Sequence, residues 1–386
     1  MLQHQGRTVL FVGSRRGALA AAERLGLRVL LVTDRAPARA RRPKLAGWAE
    51  VDLRARPPAE VAAAALELCA RERVEAVLAL TEFSAVAAAE VRAALGLPGL
   101  GPEQAWRCRD KLLMKQCARA AGVRCADTVE IGPATTAAEL VERLGLPLVI
   151  KQRAGAGGRG TVLARDLAAV AAALQPGWLA EAFVDGIEMS VETLQAAGQV
   201  LFVNPTEYLR PGWASIVPAA LQQTARSAAL DLNRRALAAL GIAHGMTHLE
   251  LFLTPRGPVL GEVAARPPGG FLMDLIGRAY GFDPWEALLR VELGEQPALP
   301  RTAGLYAGAW LLHPGGGTVR AVAGLEQARA VAGVEEVRCS LAIGQPLAPR
   351  TSTAQWVGRI LACGRERDAV AAALERAASA LRIEMA

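Results

Sequence analysis

The first hundred residues alternate short apolar runs with alanine-rich stretches of helical period, at residues 8–13, 17–25, 28–33, 58–71, 76–81 and 84–95. Strand followed by helix, repeated, specifies a parallel sheet with helices on both of its faces. The whole chain, 386 residues, is too long for one small core, and domains of about 100–200 residues predict two or three packed units. Hydrophobic residues make up 52% of it. Much of that excess is alanine in helical runs, and no stretch approaches the ~20 apolar residues that span a bilayer. Residues 1–12 lack the long apolar core and small-residue cleavage site of a secretory signal, so a cytoplasmic address is expected.

The charge balance is modest, with 44 Lys and Arg against 37 Asp and Glu. The densest basic cluster, residues 35–44, is a proline-containing loop, and aromatics are only 4%, so no nucleic-acid interface is expected. Six cysteines show no CxxC or Cys/His ligand spacing, which argues against a zinc site or a disulfide framework. The turn at residues 13–17 lacks the middle glycine of GxGxxG, and Asp34 is as suited to capping as to a ribose, so a structural sheet is favoured over a dinucleotide site.

Pro98, Gly99, Gly101 and Pro102 interrupt the alternation, and a new helix carries Arg109, Asp110, Lys111 and Lys115. From residue 128 the texture becomes α+β. Strand-like segments at 148–151 and 160–164 flank a glycine-dense loop, residues 154–160, and further strands are predicted at 188–194 and 200–204. The expected division is residues 1–100, 101–190 and 191–386.

Near residue 255 two strands meet. Pro255-Arg256-Gly257 suits a three-residue loop whose glycine takes positive φ. That register sets Thr254 opposite Pro258, Phe252 opposite Leu260, Glu250 opposite Glu262 and His248 opposite Ala264. Facing carboxylates, with Cβ atoms about 4.5–5.5 Å apart, repel unless a cation bridges them or one keeps its proton. Magnesium, which binds through one or two carboxylates and substrate phosphates, suits such a pair. A two-residue loop would instead shift the register by one and send the glutamates to opposite faces.

Lys151 ends an apolar strand three residues before the glycine loop, so an ammonium and unencumbered backbone amides can converge on phosphate oxygens. Lys111 is a second phosphate cation or an exposed helical lysine. Arg266, followed by Pro267-Pro268-Gly269-Gly270, either brings a guanidinium fork to a phosphoryl group or forms a structural salt bridge.

In this order, Lys111, Lys151, the glycine loop, residues 181–188 (EAFVDGIE), Glu250, Glu262 and Arg266 resemble the ATP-grasp enzymes. His248-Leu249-Glu250 and residues 261–270 (GEVAARPPGG) are similar to the carboxylate–amine ligase branch, which includes carnosine-synthase-like and bacterial dipeptide-forming enzymes. The resemblance implies an N-terminal parallel-sheet pre-ATP-grasp domain followed by a two-lobed ATP-grasp fold, α/β and then α+β. It also implies Lys111 and Lys151 on the α- and β-phosphates, and a loop containing Gly155, Gly157, Gly158 and Gly160 over the β- and γ-phosphates. Adenine would lie against Glu181, Phe183 and Val184, with Glu188 on the ribose. Glu250 and Glu262 would hold Mg2+, with Mn2+ as a substitute, and Arg266 would stabilise the transferred phosphoryl group. His248 shares the glutamate face, either touching phosphate or supporting a residue that does.

One departure stands out: many members carry asparagine two residues after the second glutamate, where this chain has Ala264. The activity implied joins a small carboxylate to an amine through an acyl-phosphate, with ADP and phosphate released, and dimerisation is common in the family. A carboxylase, a small-molecule kinase and a non-catalytic nucleotide-binding protein are the alternatives. Acceptor specificity is expected in residues 204–218 and 267–274, where Arg210 and Trp213 are candidate contacts or plain surface residues.

Overall fold

The computed structural model describes residues 4–39 and 42–386. At the N-terminus β1 (Thr8–Val12), β2 (Arg28–Thr33), β3 (Gly47–Glu50) and β4 (Val74–Ala79) form a parallel sheet in the order β3-β2-β1-β4. The connections carry α1 (Arg16–Arg24), α2 (Pro58–Cys69) and α3 (Ala85–Ala94). Both faces are covered, which is why these strands read as unbroken apolar runs. Leu10, Val12, Leu30 and Val32 pack with Val61, Ala65, Ala88 and Val91 of α2 and α3. Val9, Phe11, Val29 and Leu31 join α1 in a core that also contains Leu194, Phe202 and Met246. The N-terminal sheet is therefore seated on the C-terminal half of the chain through shared apolar packing.

Of the basic loop at 35–44, Ala40 and Arg41 lie outside the described residues; Arg42 stacks on Trp48 and Lys44 pairs with Glu23. Asp34 accepts a hydrogen bond from the Leu53 amide at 2.9 Å, in a turn rather than at a helix N-terminus.

Two helices follow, α4 (Pro102–Arg109) and α5 (Lys111–Ala120). Asp110 caps α5 by accepting from the amides of Leu112 and Leu113, and it also pairs with Arg153. That residue sits at the mouth of the glycine loop, so the cap joins the start of α5 to the end of a strand of the next lobe. There β5 (Thr128–Glu130), β6 (Leu148–Gln152), β7 (Val162–Ala164) and β8 (Trp178–Ala182) make an antiparallel sheet ordered β5-β8-β6-β7. Leu148 and Ile150 pack on α6 (Ala137–Leu144) and α7 (Leu167–Ala173), which turns Val149 and Lys151 to the opposite face.

The remaining strands are β9 (Ile187–Ala196), β10 (Gln199–Arg210), β11 (Ala214–Val217), β12 (Gly245–Thr254), β13 (Gly257–Ala264), β14 (Tyr306–Leu312), β15 (Gly317–Ala323), β16 (Val334–Cys339), β17 (Pro346–Leu347), β18 (Gly358–Gly364) and β19 (Arg382–Met385). Eight of them form the large sheet, β13-β12-β9-β10-β11-β14-β18-β16, and β17-β15-β19 form a small one. α8 (Gln223–Leu240) packs on one face, against Met189, Val191, Leu249 and Leu251. α9 (Leu272–Tyr280) and α10 (Pro284–Glu292) lie between the sheet and the N-terminal domain, while α11 (Leu325–Arg329) and α12 (Arg367–Ala380) cover the β14–β18–β16 end.

The β12–β13 hairpin corrects the sequence reading in one respect. Its loop has two residues, Pro255 and Arg256, with Thr254 opposite Gly257, Leu253 opposite Pro258 and Phe252 opposite Val259 rather than Leu260. That is the shifted register, yet Glu250 still stands opposite Glu262 and His248 opposite Ala264, because a bulge between Leu251 and Glu250 absorbs one residue. The extra residue is Gly261. A Cβ there would come within 2.9 Å of the Glu250 carbonyl oxygen, so the bulge needs a residue without one. Leu260 consequently faces the α8 core beside Leu249 and Leu251.

Gly261→Ala is expected to lower unfolding free energy by about 1–3 kcal/mol, measured by urea denaturation, because backbone must move to admit the methyl group. An unchanged midpoint and slope would show that the bulge tolerates a side chain.

Candidate active site

Directly opposed residues in a sheet share a face, so the register of three strand pairs assembles a polar field on the side away from α8. Glu192 faces Asn204 and Ser190 faces Thr206 across β9–β10; His248 faces Glu192 and Glu250 faces Ser190 across β12–β9. Glu262 completes the row from β13. Glu192, Ser190, Asn204 and Thr206 are fully buried, and they hydrogen-bond to one another and to His248 and Tyr280. The Glu192 carboxylate accepts from His248 Nδ1 at 2.8 Å, Ser190 Oγ at 2.7 Å, Asn204 Nδ2 at 3.0 Å and the Thr206 hydroxyl. His248 Nε2 lies 3.4 Å from Glu250 Oε1, and the Tyr208 hydroxyl donates to the same oxygen at 3.4 Å.

Burial disfavours charge on His248, but hydrogen bonds and attraction from Glu192 and Glu250 outweigh it and raise its pKa to about 9. Glu250 is held below the usual carboxylate range, since burial is overcome by the His248 hydrogen bond and by the charges of His248, Arg266 and Lys151. Glu188 behaves oppositely. Desolvation, reinforced by repulsion from Glu250, pushes it up to about 7.

The small lobe and α5 bring the cations. Lys111 is buried, not an exposed helical lysine; its Nζ lies 3.0 Å from Glu262 Oε1 and donates to the Gly155 carbonyl at 3.1 Å. Lys151 pairs with Glu181 at 2.8 Å, and this attraction, with that of Glu262 and Glu250, more than offsets burial and raises its pKa. The Glu181 side chain is consequently buried between Lys151 and Lys115, whose Nζ is 3.8 Å away. Desolvation alone would raise the Glu181 pKa, but the two lysines lower it. Phe183 is exposed and Val184 half-buried just beyond it.

In the glycine loop Gly157, Gly158 and Gly160 all have positive φ, the conformation that leaves amides free to point at an anion. Gly157 is also approached from the C-terminal part of the chain, where the Thr353 amide donates to its carbonyl at 3.0 Å.

Arg266 donates to Glu82 at 2.9 Å and to the Pro267 carbonyl, so the salt-bridge reading describes its present contacts. Arg210 and Arg350 both stack on Trp213, with Arg350 3.8 Å from the ring centre. Phe271, just past Arg266, is a non-glycine residue at φ +66° and stacks on Trp356.

Four contributors escaped the sequence reading. Lys115 donates to the Leu260 carbonyl at 3.1 Å and is pushed down in pKa mainly by burial. Its signal was present, four residues after Lys111 on one helix face. Glu192 and its partners were legible as an every-second-residue polar pattern, Glu188, Ser190, Glu192 and Asn204, Thr206, Tyr208. Glu82 and Arg15 carried no such signal, because only the packing of the N-terminal sheet brings them here. Burial, then the neighbouring Arg266, depress the Arg15 pKa to about 10.

Among the described residues no group of three or more His, Cys, Asp or Glu side chains is arranged to hold a metal. A divalent ion between Glu250 and Glu262 fits the chemistry of two facing carboxylates, but it would need oxygen ligands from substrate. Ala264 supplies none.

Residues 116–271 match the ATP-grasp domain family. These residues carry an ATP-grasp domain. Residues 309–386 match the L-amino acid ligase C-terminal domain 2, and so the C-terminal end is of the L-amino acid ligase type. An uncharacterized protein of Sinorhizobium fredii, y4rH, is 28% identical over 305 residues, covering 74% of this chain and 63% of that one. The L-arginine-specific L-amino acid ligase of Bacillus subtilis is 27% identical over 238 residues, covering 57% and 58%. The chain thus spans about three fifths of the length of these relatives. The crystal structure of an L-amino acid ligase from Bacillus licheniformis shares the fold over 100% of both chains, with a TM-score of 0.84 and 23% identity. No helix among the described residues is long and apolar enough to cross a membrane.

Because the folded pKa of Glu188 lies above its ordinary value, the stability tied to its protonated form is complete below about 4.5 and is lost as pH rises through about 7. In metal- and nucleotide-free protein, Glu188→Gln should therefore gain stability relative to the parent as pH is raised from 4.5 to 8. Parallel urea-denaturation curves of stability against pH would contradict the burial of this carboxyl.

Proposed function

We propose that the chain is an ATP-dependent carboxylate–amine ligase that condenses amino acids or similar small molecules into an amide. The observation that carries this reading is the meeting of Glu250 and Glu262 with Lys111, Lys151 and Arg266 across one cleft, beneath a loop of positive-φ glycines. Lys111, Lys115 and Lys151 neutralise the phosphates of ATP, the loop amides cover them, Phe183 and Val184 flank adenine and Glu188 takes the ribose. Glu250 and Glu262 hold magnesium, with manganese able to replace it. When bound, the metal neutralises phosphate charge and aligns the terminal phosphate.

A carboxylate oxygen of one substrate attacks the γ-phosphorus and ADP departs. The amine nitrogen of the other attacks the resulting acyl carbon, expelling phosphate and losing a proton. The protein's part is positioning and charge stabilisation. His248, charged at neutral pH, is no base for the amine; it acts as a fixed cation that orients Glu250. Arg266, released from Glu82, faces the phosphoryl group. Residues 204–218 and 267–274 contact the substrates, with Arg210 and Trp213 among the specificity residues. The proposed setting is a cytoplasmic homodimer.

Pairs of amino acids supplied with MgATP should give ADP together with a condensed product detectable by mass. ADP release with no amide from a broad panel would weigh against the ligase, and bicarbonate-dependent release would favour a carboxylase. Glu262→Gln should reduce kcat/KM by about 10²-fold or more while leaving the melting temperature close to the parent's, since it removes a ligand and a repulsion together. Magnesium titrations that give the same kcat/KM in both proteins would sink the metal role.

A further inference from the structure

At the end of the large sheet distant from the β12–β13 hairpin, a cavity of about 410 Å³ is lined by Pro218, Arg226, Tyr280, Arg301, Tyr306 and Arg365, among others. Arg226 comes from the first turns of α8, Arg301 from the loop before β14 and Arg365 from just past β18. Three arginines from separate elements thus line one space, Arg226 half-buried and Arg301 and Arg365 exposed. Among the described residues none of the three forms an ion pair or a side-chain hydrogen bond, although most arginines around this sheet do. Unpaired like charges brought together repel, and in this fold nothing about the packing of α8, α9 and β18 requires all three to converge.

The size falls in the range of about 300–1,000 Å³ typical of small-molecule sites, too large for a single ion. Its polar lining includes three arginines, with no acidic side chain among the lining residues, which favours an anionic occupant. Guanidinium forks match the planar oxygen pairs of carboxylates and phosphates, and several converging forks focus a positive field on the cavity.

The floor is also specialised. Tyr280 is buried, and burial raises its pKa to about 12 against the opposing effect of Arg226, so the phenol keeps its proton. It donates that proton to Asn204 Oδ1 at 3.0 Å. Asn204 in turn donates to Glu192, the carboxylate that holds His248. Tyr280, a lining residue of the cavity, is therefore the outer member of the hydrogen-bond chain that ends at Glu250.

We propose that this cavity is a binding site, separate from the nucleotide cleft, for a compact anion carrying two or more negative charges. Arg226, Arg301 and Arg365 ligate its oxygens, and Tyr280 forms the floor through which an occupant touches the network supporting the metal carboxylates.

The test is calorimetric titration of the full chain in magnesium-free buffer, with the nucleotide cleft saturated by ADP so that it cannot take up the probe. Pyrophosphate and citrate serve as probes, separating phosphoryl from polycarboxylate recognition. One of them should bind saturably with a Kd of about 1 mM or tighter. Combined Arg226→Gln and Arg365→Gln substitutions should weaken it ~100-fold, and Arg301→Gln, on an exposed loop, ~10-fold, as expected for loss of charge-assisted contacts. Melting temperatures close to the parent's, with retained ADP binding, establish that the variants are folded. Absence of saturable binding by either probe, or equal affinity in parent and Arg301→Gln proteins, would overturn the proposal. So would binding that disappears when ADP is added, since the probe would then have occupied the nucleotide cleft.

Discussion

The structure depends on the opposition of two carboxylates, Glu250 and Glu262, across a hairpin that must bulge to bring them together. Like charges at that spacing repel, and the chain meets the repulsion with cations from every part of the fold. Lys111 from α5 stands on Glu262, and His248 from the same strand stands beside Glu250. Lys151 of the small lobe adds its field to both, while its own contact is Glu181. Arg266 bridges to Glu82 of the N-terminal domain. Three segments far apart in sequence are thereby electrostatically tied to one pair of strands. Under the proposed function these ties also have a functional sense, since each cation would exchange its carboxylate partner for a phosphate.

The polar layer behind the pair solves a second problem. Burying Glu192 fully would be costly for a lone carboxylate, and the cost is met by four donors, one of them a charged imidazole. Each donor has a fixed identity. Ser190 and Thr206 are hydroxyls, Asn204 turns its amide nitrogen to Glu192 and its oxygen to Tyr280, and His248 is protonated. Satisfied networks of this kind are rigid, because losing any member leaves another buried group unpaired. The orientation of Glu250 is thus inherited, through His248, from a fully buried layer.

Much of this was legible before any coordinates. Alternating apolar runs and alanine-rich helices specified the N-terminal parallel sheet, and the order of Lys111, Lys151, the glycine loop, residues 181–188, Glu250, Glu262 and Arg266 carried the resemblance to the ATP-grasp enzymes, whose domain matches residues 116–271. The hairpin was legible in outcome and illegible in means. Its loop follows the shorter form, and the pairing survives only through Gly261, a glycine inside a strand and so a sign of a bulge that was open to be read. Glu82 and Arg15 could not have been found this way. They lie on the N-terminal domain, whose placement is decided by the apolar core it shares with Phe202, Met246 and α9, and nothing local to those two residues encodes that docking.

The same docking explains why a chain with so much charge in one cleft is held in a definite shape. A core running from Val9 and Phe11 through α9 and α10 to Leu194 and Leu361 leaves the N-terminal domain no freedom to drift from the large sheet. The small lobe is attached differently. It has its own core around Leu148 and Ile150, and its ties to the cleft are largely polar: Arg153 with Asp110, the Gly155 carbonyl with Lys111, Lys151 and Glu181 with the cleft cations and carboxylates, and Gly157 with Thr353. Polar ties in a solvated cleft exchange readily with ligand and water, whereas apolar packing does not. The division of bonding types therefore separates the parts: a base formed by the N-terminal domain and large sheet through apolar packing, and a lobe with the glycine loop tied to it by polar contacts.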